Sequence, residues 1–198
     1  MEKRATPSLE VVNTFTYNPS PKVDYVASIL GNPATEELWV FGSNEAKVVW
    51  VAVALSEDLE VIKYVEIPLG YYPFSACLGE GDRMYVVGYR SLAMLGPDGE
   101  VLRSFDVGSY LSGISCSREV VYVVGWGEPL SERLWTAVLH VYDADLNYVD
   151  RLPLNVRVRT TPSLTVLVID DLVVVPTHNV TMTVGGIRER YRTLRGLF

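Results

Sequence analysis

One short apolar phrase recurs along this chain and limits its possible folds more than any other feature. Leu38-Trp39-Val40-Phe41-Gly42, Met84-Tyr85-Val86-Val87-Gly88 and Val121-Tyr122-Val123-Val124-Gly125 are versions of one segment, and Leu172-Val173-Val174-Val175-Pro176 is a fourth with proline in the glycine slot. The copies start 46, 37 and 51 residues apart. A strand-like unit repeating at that spacing implies sheets arranged radially or in a stack, each too small to bury its faces alone.

The second repeat reads most clearly. Phe74–Leu78 is a short, mostly apolar run, and Gly79-Glu80-Gly81-Asp82-Arg83 after it is rich in turn formers. Met84–Tyr89 and Ser91–Leu95 are two further apolar runs. Pro97-Asp98-Gly99 then carries hairpin chemistry: proline presets φ and Asp-Gly favours a tight reversal. Val101–Val107 nearly alternates apolar and polar, as a strand with one wet face does. The repeat therefore predicts four short antiparallel strands.

The flanking repeats follow the same plan. The first is read as strands Val26–Leu30, Leu38–Gly42, Val48–Leu55 and Val61–Ile67. The third is read as Leu111–Ser115, Val120–Gly125, Thr136–Tyr142 and Tyr148–Leu154. Their third turns align: Glu57-Asp58-Leu59-Glu60, Pro97-Asp98-Gly99-Glu100 and Ala144-Asp145-Leu146-Asn147. The second strand of each repeat is apolar on both faces, as expected when sheets pack face to face. Ser163–Ile169, Leu172–Pro176 and Val180–Val184 supply only three strands of a last repeat. A strand at 8–16, which has no partner before it, is expected to complete that sheet and close the ring, removing exposed edges.

These features resemble a β-propeller, and the second repeat resembles blades of the NHL and YVTN class. Gly81-Asp82-Arg83-Met84-Tyr85-Val86-Val87 looks like their second strand, and Pro97-Asp98-Gly99-Glu100-Val101-Leu102 like their third hairpin. The Gly-His and Trp-Asp dipeptides of WD repeats and the Gly-Trp docking motif of quinone-cofactor propellers are absent from the sequence. The resemblance implies an all-β fold of four-stranded antiparallel blades and no particular activity. The expected organisation is a single domain with blades at about 24–70, 74–107, 111–155 and 161–186 plus strand 8–16, followed by a basic tail at 187–198. A lone β-sandwich explains the apolar runs but not the recurring turn positions. A closed four-bladed ring is preferred over two chains sharing an eight-bladed ring, or a piece of a longer propeller.

Composition excludes several classes. With 198 residues, 48% of them apolar, the chain can bury a sizeable core. Its net charge of −7 argues against nonspecific nucleic-acid binding by the body. No run of 18 apolar residues reads as a membrane helix, and Met1–Pro7 lacks the apolar stretch of a signal peptide. The expected compartment is the cytoplasm. Cys77 and Cys116 sit at non-equivalent positions of adjacent first strands, so they are expected to be free, buried thiols.

Candidate chemistry is sparse. His140 on a third strand and His178 in a turn lack a neighbouring base, orienting partner or metal set. Asp143 and Asp145 have calcium-like spacing but read better as turn formers. The four first strands offer hydroxyls to a central channel and no acids, so no metal and no cofactor is expected. Tyr71 and Tyr72 enter an inner strand from the previous repeat, Tyr89 and Trp126 sit at equivalent positions just past the glycine that ends a second strand, and with Tyr110 they are rim candidates suited to anchoring a partner. Packing between blades explains the same residues structurally. The last twelve residues hold Arg188, Arg190, Arg192 and Arg195 against one acid. This +3 segment could reach RNA or an acidic partner, but is expected to lie on its own acidic body.

The function these features favour is a non-catalytic binding or assembly module that takes a protein partner or a second copy at its rim. The alternatives are a propeller-type hydrolase or lyase with a channel site, and half of a two-chain propeller.

Overall fold

The computed structural model describes residues 25–44, 47–70, 72–117, 119–132, 134–159, 166–169, 172–176 and 181–184. The first blade is β1 (Tyr25–Asn32), β2 (Glu37–Asn44), β3 (Val49–Leu55) and β4 (Val61–Ile67). The second is β5 (Pro73–Leu78), β6 (Met84–Gly88), β7 (Ser91–Leu95) and β8 (Val101–Asp106). The third is β9 (Leu111–Ser117), β10 (Val120–Ser131), β11 (Leu134–Asp143) and β12 (Tyr148–Arg159). A fourth sheet holds β13 (Leu167–Ile169), β14 (Leu172–Pro176) and β15 (Thr181–Val184). Every sheet is an antiparallel meander in sequence order, and its first strand is innermost: β1 lies beside β5, β5 beside β9 and β9 beside β13. The closing strand expected at 8–16 lies outside the described residues.

The third turns are alike down to their backbone. In each, the left-handed residue is the third: Leu59 at φ 64°, Gly99 at φ 76° and Leu146 at φ 59°. Each places the same two hydrogen bonds, Ser56 N–H to Glu60 C=O and Leu59 N–H to Ser56 C=O in the first blade, and their counterparts at Gly96–Glu100 and Asp143–Asn147. This is a tight turn closed by a bulged left-handed residue. Leucine there is strained by about 1 kcal/mol, and at Leu146 the strain is offset by burial, since the side chain is 1% exposed.

Two apolar seams join the three complete blades. Between the first and second blades, Trp39, Phe41, Trp50, Ala52, Ala54 and Ile67 pack on Met84, Val86, Ala93 and Leu95. Between the second and third, Tyr85, Val87, Leu92 and Met94 pack on Leu111, Ile114, Val121, Val123, Tyr142 and Leu146. The alternation along β2 and β6 decides which residues face which neighbour. This explains why both faces of β6 and of the first half of β10 are buried.

The cysteines depart from expectation: Cys77 and Cys116 form a disulfide between β5 and β9, with Cα atoms 5.8 Å apart. Cys77 stands opposite Tyr85 and Cys116 opposite Val121, a one-residue offset within the repeat. Repeat alignment fixes the register within a blade. It does not fix the stagger between inner strands of neighbouring blades, which share no ladder, and here the offset brings the sulfurs together.

Candidate functional site on the upper rim

The strand directions sort the connections onto two rims. The upper rim, as we label it, holds the hairpins between second and third strands and the passages from blade to blade. The lower rim holds the other two hairpins of each blade. Tyr72, Tyr89, Tyr110 and Trp126 all lie on the upper rim, and backbone hydrogen bonds link them in sequence. Tyr89 N–H donates to Tyr72 C=O at 3.3 Å, Leu111 N–H to Tyr89 C=O at 3.0 Å, and Trp126 N–H to Tyr110 C=O at 2.8 Å.

These bonds explain the glycine that ends the repeated phrase. A Cβ on Gly88 would overlap the Tyr72 carbonyl and the Trp50 ring, and a Cβ on Gly125 would overlap the Tyr110 carbonyl. The chain entering the second and the third blade passes so close to the end of that blade's second strand that only hydrogen fits.

Three of the five rim aromatics stack into a row. The Tyr89 and Tyr110 rings are 4.5 Å apart edge to face, and Tyr110 and Trp126 are 4.7 Å apart and tilted. Trp135, which the sequence reading did not single out, extends the row by stacking on Trp126 at 4.7 Å and 26°. Trp126 is buried at 9% exposure in the apolar cluster that includes Val166 and Val173, so that end of the row packs the third blade against the fourth sheet as well as facing the rim. Tyr72, joined to the row through its carbonyl, has 43% of its surface exposed. Tyr71 and the arginines Arg188, Arg190, Arg192 and Arg195 lie outside the described residues.

Beyond Gly125 the third blade grows upward. β10 continues to Ser131, β11 begins at Leu134, and β12 runs alongside them to Arg159. The resulting arm holds Trp135 at its base and exposes Glu128, Pro129, Leu130 and Glu132. Its register breaks between Trp126 and Pro129, where Glu128 N–H donates to the Thr136 hydroxyl at 2.8 Å. Arg151 meets Glu128 at 3.6 Å on the outer side. The second strand of this blade, expected at Val120–Gly125, thus runs on through Gly127, Glu128 and Pro129 to Ser131.

His140 is buried in the seam between the second and third blades, with Nε2 3.5 Å from the Ser109 hydroxyl. Burial, and secondarily the nearby Arg151 charge, lower its pKa to about 4. A base that weak takes a proton from serine poorly at neutral pH. His178 lies outside the described residues.

Asp143 acts as a turn former: its carboxylate accepts the N–H groups of Asp145 at 2.9 Å and Asn147 at 2.7 Å, and the Asn147 side-chain amide at 3.0 Å. Among the described residues, no three His, Cys, Asp or Glu side chains are grouped closely enough to hold a metal. No described helix is long and apolar enough to cross a membrane.

No protein-family model matches the chain, nor does any curated protein. Solved structures do. Hydrazine synthase of Kuenenia stuttgartiensis superposes with a TM-score of 0.62 at 16% identity, over 87% of this chain and 49% of that one. Virginiamycin B lyase of Staphylococcus aureus superposes with a TM-score of 0.61 at 12% identity, over 81% of this chain and 51% of that one. The chain thus spans about half the length of either structure. At such identities the likeness is one of fold, and with the sheet order above it defines the class: an all-β protein of the β-propeller type. Within that class the chain has four-stranded antiparallel blades of the kind its repeats imply.

Proposed function

We propose that the chain is a non-catalytic binding or assembly module, a single propeller domain that engages a protein partner through its upper rim. The observation that carries this reading is the row Tyr89–Tyr110–Trp126–Trp135, flanked by the exposed Tyr72 on one side and the blade-three arm on the other. Aromatic rings held rigidly by their own backbone lose little entropy on binding, which suits an anchor. The hydrolase or lyase alternative gains nothing from the Ser109–His140 pair, since that histidine is a poor base.

The test is affinity capture with the purified chain from its native source, followed by identification and purification of what binds. The variants Tyr72→Ala and Leu130→Ser should weaken binding of that purified partner by about tenfold each while leaving Tm unchanged. Trp126 is a poor probe, because its burial would mix binding with stability. Undiminished affinity in both variants overturns the site.

A second reading, that two chains complete one larger ring, is supported by the half-length match. It is also supported by Val26 and Ile29, which are 52% and 61% exposed on β1. Ile29 pairs with Val40, on the face of the first blade that points away from the second. A native mass spectrum tests this reading: twice 22.1 kDa supports it, and 22.1 kDa alone removes it.

A further inference from the structure

The seam crossed by the aromatic row is also the seam that carries the disulfide, and one strand connects the two. β9 is held to the second blade at both ends. At its upper end Leu111 N–H donates to Tyr89 C=O at 3.0 Å, and at its lower end Cys116 is bonded to Cys77. Among the described residues its ladder runs to β10 of its own blade and to no strand of the second. The described hydrogen bonds across the lower seam pass elsewhere: Arg83, Tyr85 and Arg103 reach the hairpin at Ala144–Asn147, not β9. The residue immediately before β9 is Tyr110, whose ring lies between Tyr89 and Trp126 and whose carbonyl accepts the Trp126 N–H.

We infer that the Cys77–Cys116 bond is a redox-sensitive latch on β9, and that its state sets the rigidity of the aromatic row at the other end of that strand. Closing the latch is a balanced exchange. The two thiols give up two protons and two electrons to a disulfide oxidant of the glutathione type, which departs as two thiols. Both cysteines are only half-buried, so a small thiol reaches them. β9 is seven residues long, about 20 Å from end to end. With the bond open, β9 keeps its ladder to β10 but is tied to the second blade by the Leu111 hydrogen bond and the packing of Leu111 and Ile114 alone among the described contacts, so it tilts more easily and Tyr110 moves with it. A bond of this kind persists only where thiols are kept oxidised.

The inference concerns the rigidity of the row and does not depend on what the rim binds. The experiment uses the full chain equilibrated with oxidised or reduced glutathione. Intact mass should show the loss of about 2 Da in oxidant. Amide hydrogen exchange followed by mass spectrometry should then show exchange of peptides spanning 108–126 accelerated by reduction about tenfold more than that of peptides spanning 49–55, which report any global loss of stability. The double variant Cys77→Val/Cys116→Val, kept in oxidant, should reproduce the reduced pattern and so exclude an effect of the reductant itself. An unchanged mass in oxidant overturns the latch. So does equal protection in the two states, which leaves the bond as a passive staple. An increase spread evenly over all blades, or outright unfolding, overturns the local coupling.

Discussion

The two complete seams of this propeller solve the same problem with different chemistry. Trp39 and Tyr85 occupy the same place in successive repeats, and each reaches the third hairpin of the next blade. Trp39 fills the space beside Gly99, where any Cβ would overlap its ring. Tyr85 instead donates its hydroxyl to the Ala144 carbonyl at 2.7 Å, next to the Arg83–Asp145 pair at 2.6 Å. The first seam adds Trp50, fully buried, with its indole N–H on the Gly70 carbonyl at 3.2 Å. The second adds the Cys77–Cys116 bond and the buried His140. The first seam is thus closed mainly by volume, and the second by volume together with bonds that respond to redox potential, pH and salt. Identical architecture leaves each joint free to be sensitive to different conditions.

The largest expected effect falls on the seam of volume. Trp50→Ala should lose about 4 kcal/mol of unfolding free energy in a urea titration, with no dependence on reductant. A loss below about 1 kcal/mol would show that the indoles are not what close this joint. Reduction of the disulfide should cost just under about 4 kcal/mol, since it frees a loop of 39 residues in the unfolded chain. A fall of about 10 °C in Tm would report it.

Acid should act on the second seam through His140. Its pKa falls from 6.5 in the unfolded chain to about 4 when folded, so below pH 6.5 the unfolded state binds the extra proton. Stability is therefore full above pH 6.5 and declines as the pH drops toward 4, by about 2 kcal/mol near pH 5. His140→Gln should flatten that decline in thermal melts recorded across the range, and an unchanged slope would assign the acid sensitivity elsewhere. The smallest effects are polar. Tyr85→Phe should cost about 1 kcal/mol, and Arg83→Met under about 0.5 kcal/mol, the latter vanishing in high salt. A larger loss from Arg83→Met would mean that the lower-rim clasp is cooperative.

What was legible in the sequence is what repeats. β3, β4, β6, β7 and β14 lie within a residue of the segments that period-two patterning and turn chemistry mark out. The three third hairpins agree to the residue, because a left-handed position recurs at Leu59, Gly99 and Leu146. What was not legible depends on how blades sit against each other. The disulfide follows from a stagger between inner strands that no ladder fixes. The role of Tyr85 as a hydrogen-bond donor depends on the next blade's turn passing within reach of its hydroxyl. The arm and Trp135 were hidden by Gly127 and Pro129, which mark a loop in isolation but sit in an extended strand when β12 continues beside them. At the rim, the sequence brought forward Tyr89, Tyr110 and Trp126 as separate candidates without revealing that their rings and backbones form one chain of contacts.

The disulfide also changes how the protein bears load. It closes a covalent ring around most of the second blade, from Cys77 through β6, β7 and β8 to Cys116. Force applied at the two termini passes from β5 straight to β9 and never reaches the enclosed residues. When pulled taut, the oxidised chain stops about 130 Å short of the reduced one, and it does so with that blade's three outer strands slack inside the loop. A cut at the exposed Pro97–Asp98 turn would for the same reason leave the two halves in one piece.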